Sequence, residues 1–141
     1  MNESVIAAPA AAYSAGQTKT KNVFYWITIG ILEFVLLTGG IADIIHVQSA
    51  VDGMIHLGYP LYFVILLGVW KVLAGIALLV PGFPRLKEWA YAGVFFDLTG
   101  ATVSHIAVGN NPAHFITTLL FAGITIASWA LRPSSRKLNS R

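Results

Sequence analysis

The chain has 141 residues, of which 56% are hydrophobic and 11% are charged. A soluble domain carries about 25% charged residues, so this composition excludes both a soluble globular domain and a disordered chain. The absence of cysteine excludes disulfides, thiolate metal sites and thiol redox chemistry on this polypeptide. The net charge of +3 does not indicate a nucleic-acid partner, because no basic face is interleaved with aromatic residues.

Residues 1–22 mix alanine with small polar residues, and we expect a mobile cytoplasmic segment. It is not expected to be a cleaved signal peptide, because no basic region precedes its mildly apolar stretch. Four apolar runs follow, at residues 23–45, 60–80, 89–108 and 112–131. Each is about 20 residues long, which in a helix matches the roughly 30 Å hydrocarbon core of a bilayer. The prediction is an all-α fold, with a transmembrane antiparallel four-helix bundle over residues 23–131 and a basic tail over 132–141.

The orientation of this bundle follows from the positions of lysine and arginine. All basic residues outside the apolar runs lie in residues 1–22, in the 81–88 loop and in the tail at 132–141. The connections at 46–59 and 109–112 contain none. Because cytoplasmic loops hold the excess of lysine and arginine, both termini are predicted to be cytoplasmic, in a multi-pass protein of the bacterial cytoplasmic membrane.

Three charged residues lie near the middle of the apolar runs: Glu33, Lys71 and Asp97. Counting residues from the cytoplasmic ends places all three at a similar depth, near the middle of the bilayer. Each would be costly alone in lipid, so we expect them to pair with one another. This charged cluster is interpreted either as a buried ionic clasp that fixes helix register or as a proton-accepting or ligand-binding site.

A second polar group falls toward the predicted non-cytoplasmic side. It comprises Asp43, His46, Ser104, His105 and His114. Histidine spacing typical of a metal site is absent from the sequence, so no metal site is predicted, and no catalytic motif is recognised. These residues are interpreted either as polar groups at helix ends or as a pH-sensitive or redox-cofactor mouth.

Several short motifs are similar to those of one known family. Gly58-Tyr59-Pro60 opens the second apolar run, the segment 67–75 reads LGVWKVLAG and the segment 81–93 reads PGFPRLKEWAYAG. Gly100-Ala101 then precedes Ser104-His105. Over residues 23–131 the chain resembles the DoxX-like family of small bacterial four-helix membrane proteins.

The family takes its name from a small membrane subunit of an archaeal thiosulfate:quinone oxidoreductase, and relatives are linked to membrane redox complexes. The resemblance therefore implies an accessory or quinone-associated component of a membrane redox system, which is not catalytic on its own. A quinone cofactor, a redox partner protein and the lipid bilayer are the partners that it implies. Two alternatives stay open: a small proton-coupled carrier, whose pathway a homo-oligomer could build, and a structural or assembly module without turnover.

Overall fold

The structure, a computed structural model, describes the backbone of residues 3–138 and the side chains of residues 11–138. Within that part of the chain the secondary structure is entirely helical, which confirms the all-α prediction. The elements are α1 (Glu3–Ile44), α2 (Gln48–His56), α3 (Leu61–Leu79), α4 (Pro84–Ala107), α5 (Pro112–Leu131) and a 3₁₀ turn (Ser134–Arg136).

Helix α1 is longer than the sequence indicated. The first span was expected to begin near residue 23, whereas the helical backbone begins at Glu3 and continues for 42 residues. At 1.5 Å per residue this helix is about 63 Å long, roughly twice the thickness of a hydrocarbon core. Extending a helix that already exists is easier than nucleating one, and the alanine-rich stretch before residue 13 favours extension. Whether residues 1–22 are mobile stays a prediction.

Four long helices make the main contacts. Helix α1 packs against α3 and α5, and α4 packs against the same two helices. The short helix α2, in a stretch predicted only as a connection, touches α1 and α3 and contains no buried residue. The largest buried apolar cluster joins α1, α3 and α4 and is formed by Tyr25, Ile29, Leu32, Leu36, Ala77, Leu78, Ala90, Tyr91 and Val94.

Three of these helices are long and apolar enough to cross a membrane: α1 from residue 11 onward, α3 and α5. Large apolar side chains also point outward, including Phe34, which is 71% exposed, and Phe96, which is 69% exposed. Together these features indicate a membrane protein, because a water-facing surface rarely presents so much apolar area. Helix α4 has 24 residues but includes Asp97 and several hydroxyl residues, so the fourth crossing remains a prediction.

Candidate ligand-binding site

Helices α1 and α3 cross in close contact at two glycines, Gly40 and Gly68. A Cβ atom added to Gly68 would lie 2.7 Å from the backbone oxygen of Gly40 and 2.8 Å from the Cβ of Asp43. A Cβ added to Gly40 would lie 2.9 Å from the backbone oxygen of Gly68. Small residues allow helix backbones to approach this closely. This contact fixes the register of α1 on α3, and it brings Asp43 alongside α3.

Lys71 forms an ion pair with Asp43 across this crossing. The Lys71 Nζ atom lies 2.9 Å from Asp43 Oδ2, and the two side chains are 23% and 6% exposed. This corrects the expected pairing, in which Glu33 and Asp97 were the partners of Lys71 and Asp43 belonged to the outer polar group. The physical reason is register: the glycine contact allows the long lysine side chain to reach Asp43.

Glu33 lies about three helical turns before Asp43 on α1, and it packs against Gly75, one turn after Lys71 on α3. A Cβ added to Gly75 would be 2.8 Å from Glu33 Oε2, so the glycine provides the space that this carboxyl occupies. Glu33 is only 7% exposed, and within the described residues neither of its carboxyl oxygens has a hydrogen-bond partner. A buried carboxyl without a donor is unfavourable unless another group compensates it. Glu33 is therefore separate from the Lys71–Asp43 pair, although both lie on the α1–α3 interface.

Asp97 and Lys71 line a common cavity of about 380 Å³ between α1, α3, α4 and α5. We call it the Lys71 cavity. Its polar lining consists of Lys71, Asp97, Tyr59, His105 and Thr118, and most of the other residues around it are apolar. Its volume is in the range of about 300–1,000 Å³ that small-molecule sites occupy, and a few convergent polar groups in an apolar wall are typical of such sites.

A hydrogen-bonded group surrounds one end of this cavity. The Tyr59 hydroxyl lies 2.6 Å from Ser104 Oγ. Asn110 joins two histidines: its Oδ1 lies 2.9 Å from His56 Nε2, and its Nδ2 lies 2.8 Å from His105 Nδ1. These contacts tie α2 and the following loop to the end of α4. Tyr59 and His105 also line the Lys71 cavity, so these contacts lie at its end on the side that was predicted to be non-cytoplasmic.

The predicted outer polar group is therefore brought together only in part. Ser104 and His105 belong to this end of the cavity, and the His105 ring stacks on His114 with the ring centroids 5.3 Å apart. His46 is exposed in the turn after α1, with a φ of 57°, and Asp43 belongs to the Lys71 pair. No group of three or more histidine or carboxylate side chains within the described part of the chain could hold a metal ion.

The opposite end of the helices contains a residue that sequence reasoning missed. Lys87, near the start of α4, is completely buried. Its Nζ donates hydrogen bonds to the backbone oxygens of Ala77 at 2.7 Å and Leu78 at 3.0 Å, and also to that of Val80. The last carbonyls of a helix have no partner within the helix, and a cation there is favourable. The sequence signal for this contact is a lysine shortly after the end of a predicted helix. At the sequence level, Lys87 was used only as a basic loop residue that indicates membrane orientation.

The basic tail packs against the same end. Arg132 Nη2 lies 2.8 Å from Glu88 Oε1, and Trp129 donates from Nε1 to Glu88 Oε2 at 2.7 Å. Burial alone would raise the pKa of the Glu88 carboxyl, but the hydrogen bonds from Trp129 and Arg132 and the arginine charge hold it below its usual value. Arg136 donates to the Leu78 oxygen at 2.8 Å. Part of the predicted tail is thus folded onto α3, α4 and α5.

A family comparison covers most of the helical part of this arrangement. The model of the DoxX-like family matches residues 27–128, which include the last 18 residues of α1, all of α2, α3 and α4, and most of α5. The chain belongs to the DoxX-like family. Comparison with curated proteins and with solved structures found no match. In this DoxX-like protein, the polar groups of the Lys71 cavity are the structural feature that bears on function.

The lining of that cavity offers one cationic donor, Lys71, and one carboxyl, Asp97. Lys71 has three N–H donors, of which one is directed to Asp43. Within residues 11–138, the Asp97 carboxyl lines the cavity and belongs to neither ion pair, Lys71–Asp43 nor Arg132–Glu88. A quinone head group fits this donor set, since its carbonyl oxygens accept hydrogen bonds and the hydroxyls of its reduced form donate them. In this DoxX-like protein, Lys71 and Asp97 are the residues that could hold it.

Proposed function

We propose that this protein binds a membrane quinone in the Lys71 cavity, as a non-catalytic component of a membrane redox system. The observation that supports this proposal is the presence of Lys71 and Asp97 in one cavity with otherwise mainly apolar walls. Such a cavity suits a ligand with one polar head group, because an apolar ligand would leave the Asp97 carboxyl and the remaining N–H donors of Lys71 without a partner. The family membership is consistent with this proposal.

The proposal includes a topology. Helices α1, α3, α4 and α5 form a four-helix bundle that crosses the cytoplasmic membrane, with both termini in the cytoplasm. Lys71 and Asp97 then lie near the middle of α3 (Leu61–Leu79) and α4 (Pro84–Ala107), far from both membrane surfaces. A quinone is dissolved in this apolar layer, so the cavity is at a depth that the ligand can reach without crossing the head-group region.

Each polar residue has a distinct part in binding. Lys71 Nζ donates to a quinone carbonyl oxygen, and the Asp97 carboxylate accepts from a hydroxyl of the reduced form. Asp43 is a positioning residue, since its carboxylate at 2.9 Å holds the Lys71 ammonium at the crossing of α1 and α3. When bound, the quinone supplies the capacity to carry electrons and protons. Because this chain has no cysteine, we propose that the electrons come from a partner redox protein.

Replacing Lys71 with methionine is expected to weaken quinone binding. A hydrogen bond to a charged group contributes about 1.5–3 kcal/mol, so we expect the Kd for decylubiquinone to rise by about 10- to 150-fold. The measurement is quenching of tryptophan fluorescence on titration of the purified protein in mild detergent. Lys137→Met is the matched control, because Lys137 is exposed at the end of the described tail, and its Kd should stay that of the wild type.

Lys71→Met leaves Asp43 buried without its partner, which is itself destabilising. The double variant Asp43→Asn/Lys71→Met removes that unpaired charge, and it should show the same loss of binding in a protein that remains folded. Asp97→Asn tests the second polar contact by the same titration. Unchanged quinone affinity in all three variants, or no saturable binding by the wild type, would show that the Lys71 cavity is not a quinone site.

A second candidate function rests on Glu33. This carboxyl is buried at the α1–α3 interface with no hydrogen-bond partner among the described residues, and intramembrane carboxyls are often proton relays. A proton-coupled carrier should acidify the lumen of dye-loaded proteoliposomes when a pH gradient is imposed. Glu33→Gln should abolish that flux, whereas Glu88→Gln at the membrane surface should not. A quinone-binding component without carrier activity gives no flux above that of empty liposomes.

A further inference from the structure

A second cavity, of about 430 Å³, lies between α3 and α4. We call it the α3–α4 groove. Its walls are formed by large apolar residues, among them Trp70, Leu73 and Trp89, which are 53%, 55% and 79% exposed. Gly93 and Ala90 leave a depression between these walls. The groove therefore opens on the outer surface of the helices, where lipid surrounds the proposed bundle.

The groove and the Lys71 cavity are adjacent. Five residues line both of them: Leu36, Leu67, Lys71, Val94 and Asp97. Among the described residues that line the groove, Lys71 and Asp97 alone are charged, and both lie at this junction. The groove is thus apolar along its length and ends at the two polar groups to which the head group is assigned.

We infer that the α3–α4 groove holds the apolar tail of the ligand, and that the ligand enters the Lys71 cavity sideways from the lipid through this groove. This inference rests on the proposed function and adds the ligand class: a membrane amphiphile with a polar head and a single apolar tail. A water-soluble ligand would leave the groove empty, because away from Lys71 and Asp97 the groove offers only apolar walls.

The selectivity of the groove comes from shape. In lipid or detergent the tail is already in apolar surroundings, so a longer tail by itself adds little affinity. Close packing of the tail against the groove walls is what favours a ligand that fits the groove. Blocking the groove should therefore exclude ligands with a tail and leave the head-group site intact. Gly93 is the position to use, because no atom lies within 4 Å of an added Cβ there and a larger side chain can enter the groove without displacing a helix.

The test compares two quinones with one head group. Decylubiquinone has a ten-carbon tail, and 2,3-dimethoxy-5-methyl-1,4-benzoquinone has none. We expect Gly93→Leu to raise the Kd of decylubiquinone at least tenfold and to change that of the tail-less quinone less than twofold. Gly123→Leu in α5 is the matched control, since an added Cβ there also has no atom within 4 Å and Gly123 lines neither cavity.

A second measurement does not depend on any variant. A quinone with a photoreactive diazirine at the end of its tail should label the wild-type protein at residues 70–93, identified by mass spectrometry of the peptides. Labelling elsewhere, or equal decylubiquinone affinity in Gly93→Leu and Gly123→Leu, would show that the groove does not hold the tail. The assignment of the head group to the Lys71 cavity would be unaffected. If neither quinone binds the wild type, the proposed function and this inference both fail.

Discussion

Adding one methyl group at the α1–α3 crossing is expected to destabilise the fold strongly. In Gly68→Ala the new Cβ would lie 2.7 Å from the Gly40 backbone oxygen, a contact that folded proteins do not tolerate. The obstructing atom is backbone, so the helices themselves must separate, which breaks the packing around the Lys71–Asp43 pair. Overpacking of this kind costs about 1–3 kcal/mol. The measurement is the Tm of the purified protein in mild detergent, with unfolding monitored by circular dichroism.

Two neighbouring glycines in α1 provide a second test and a control. Gly40→Ala should lower the Tm as Gly68→Ala does, because its Cβ would lie 2.9 Å from the Gly68 oxygen. Gly39→Ala, one residue away, meets no atom within 4 Å. Alanine favours a helix over glycine by about 1 kcal/mol, so the Tm of Gly39→Ala should stay the same or rise. Equal Tm values for all three variants would mean that α1 and α3 do not cross at these glycines.

Replacing the buried lysine of α4 is expected to have the second large effect on stability. Lys87→Met removes the donor to three carbonyl oxygens at the end of α3. Hydrogen bonds to a charged group contribute about 1.5–3 kcal/mol, and buried acceptors left without a donor add to the loss. Arg136 still donates to Leu78, but the other two carbonyls would have no donor. We expect a marked fall in Tm under the same conditions.

The control for Lys87 is a lysine that makes no such contacts. Lys137 is exposed, and Lys137→Met changes the net charge by the same amount. Its Tm should match that of the wild type. If Lys87→Met has the same Tm as the Lys137→Met control, water supplies the hydrogen-bond donors at the end of α3 in the variant. The α3–α4 groove includes Ala77 and Leu86 beside this contact, so quinone binding should be measured in the same samples.

The local features of this protein could be predicted from its sequence. Four apolar runs of about 20 residues indicate helices of membrane length, since length and hydropathy act along one segment and need no partner. The same local reasoning identified Lys71 and Asp97 as charges within apolar runs. It also marked the ends of α3 and α4, because Pro81-Gly82-Phe83-Pro84 and Gly109-Asn110-Asn111-Pro112 interrupt a helix.

The pairing of the charges was decided only by the tertiary structure. Counting residues along each helix estimates depth, but it cannot determine how far one helix has slid or rotated against another. The contact between Gly40 and Gly68 sets that register and places Glu33 beside Gly75, leaving Asp43 as the partner of Lys71. A flexible lysine side chain can also reach along the helix to a carboxylate at a different depth.

By itself, the sequence determined the all-helical fold, the apolar helices, the family and the presence of three charged residues near the middle of the apolar runs. The tertiary structure decided which residues meet: Lys71 with Asp43, Lys71 and Asp97 around one cavity, and Lys87 with the carbonyls of α3. The physical reason is that helix formation and partition into lipid depend on segments a few turns long. Ion pairs, cavities and carbonyl contacts between helices depend on distances of a few ångström, which are set where two backbones touch.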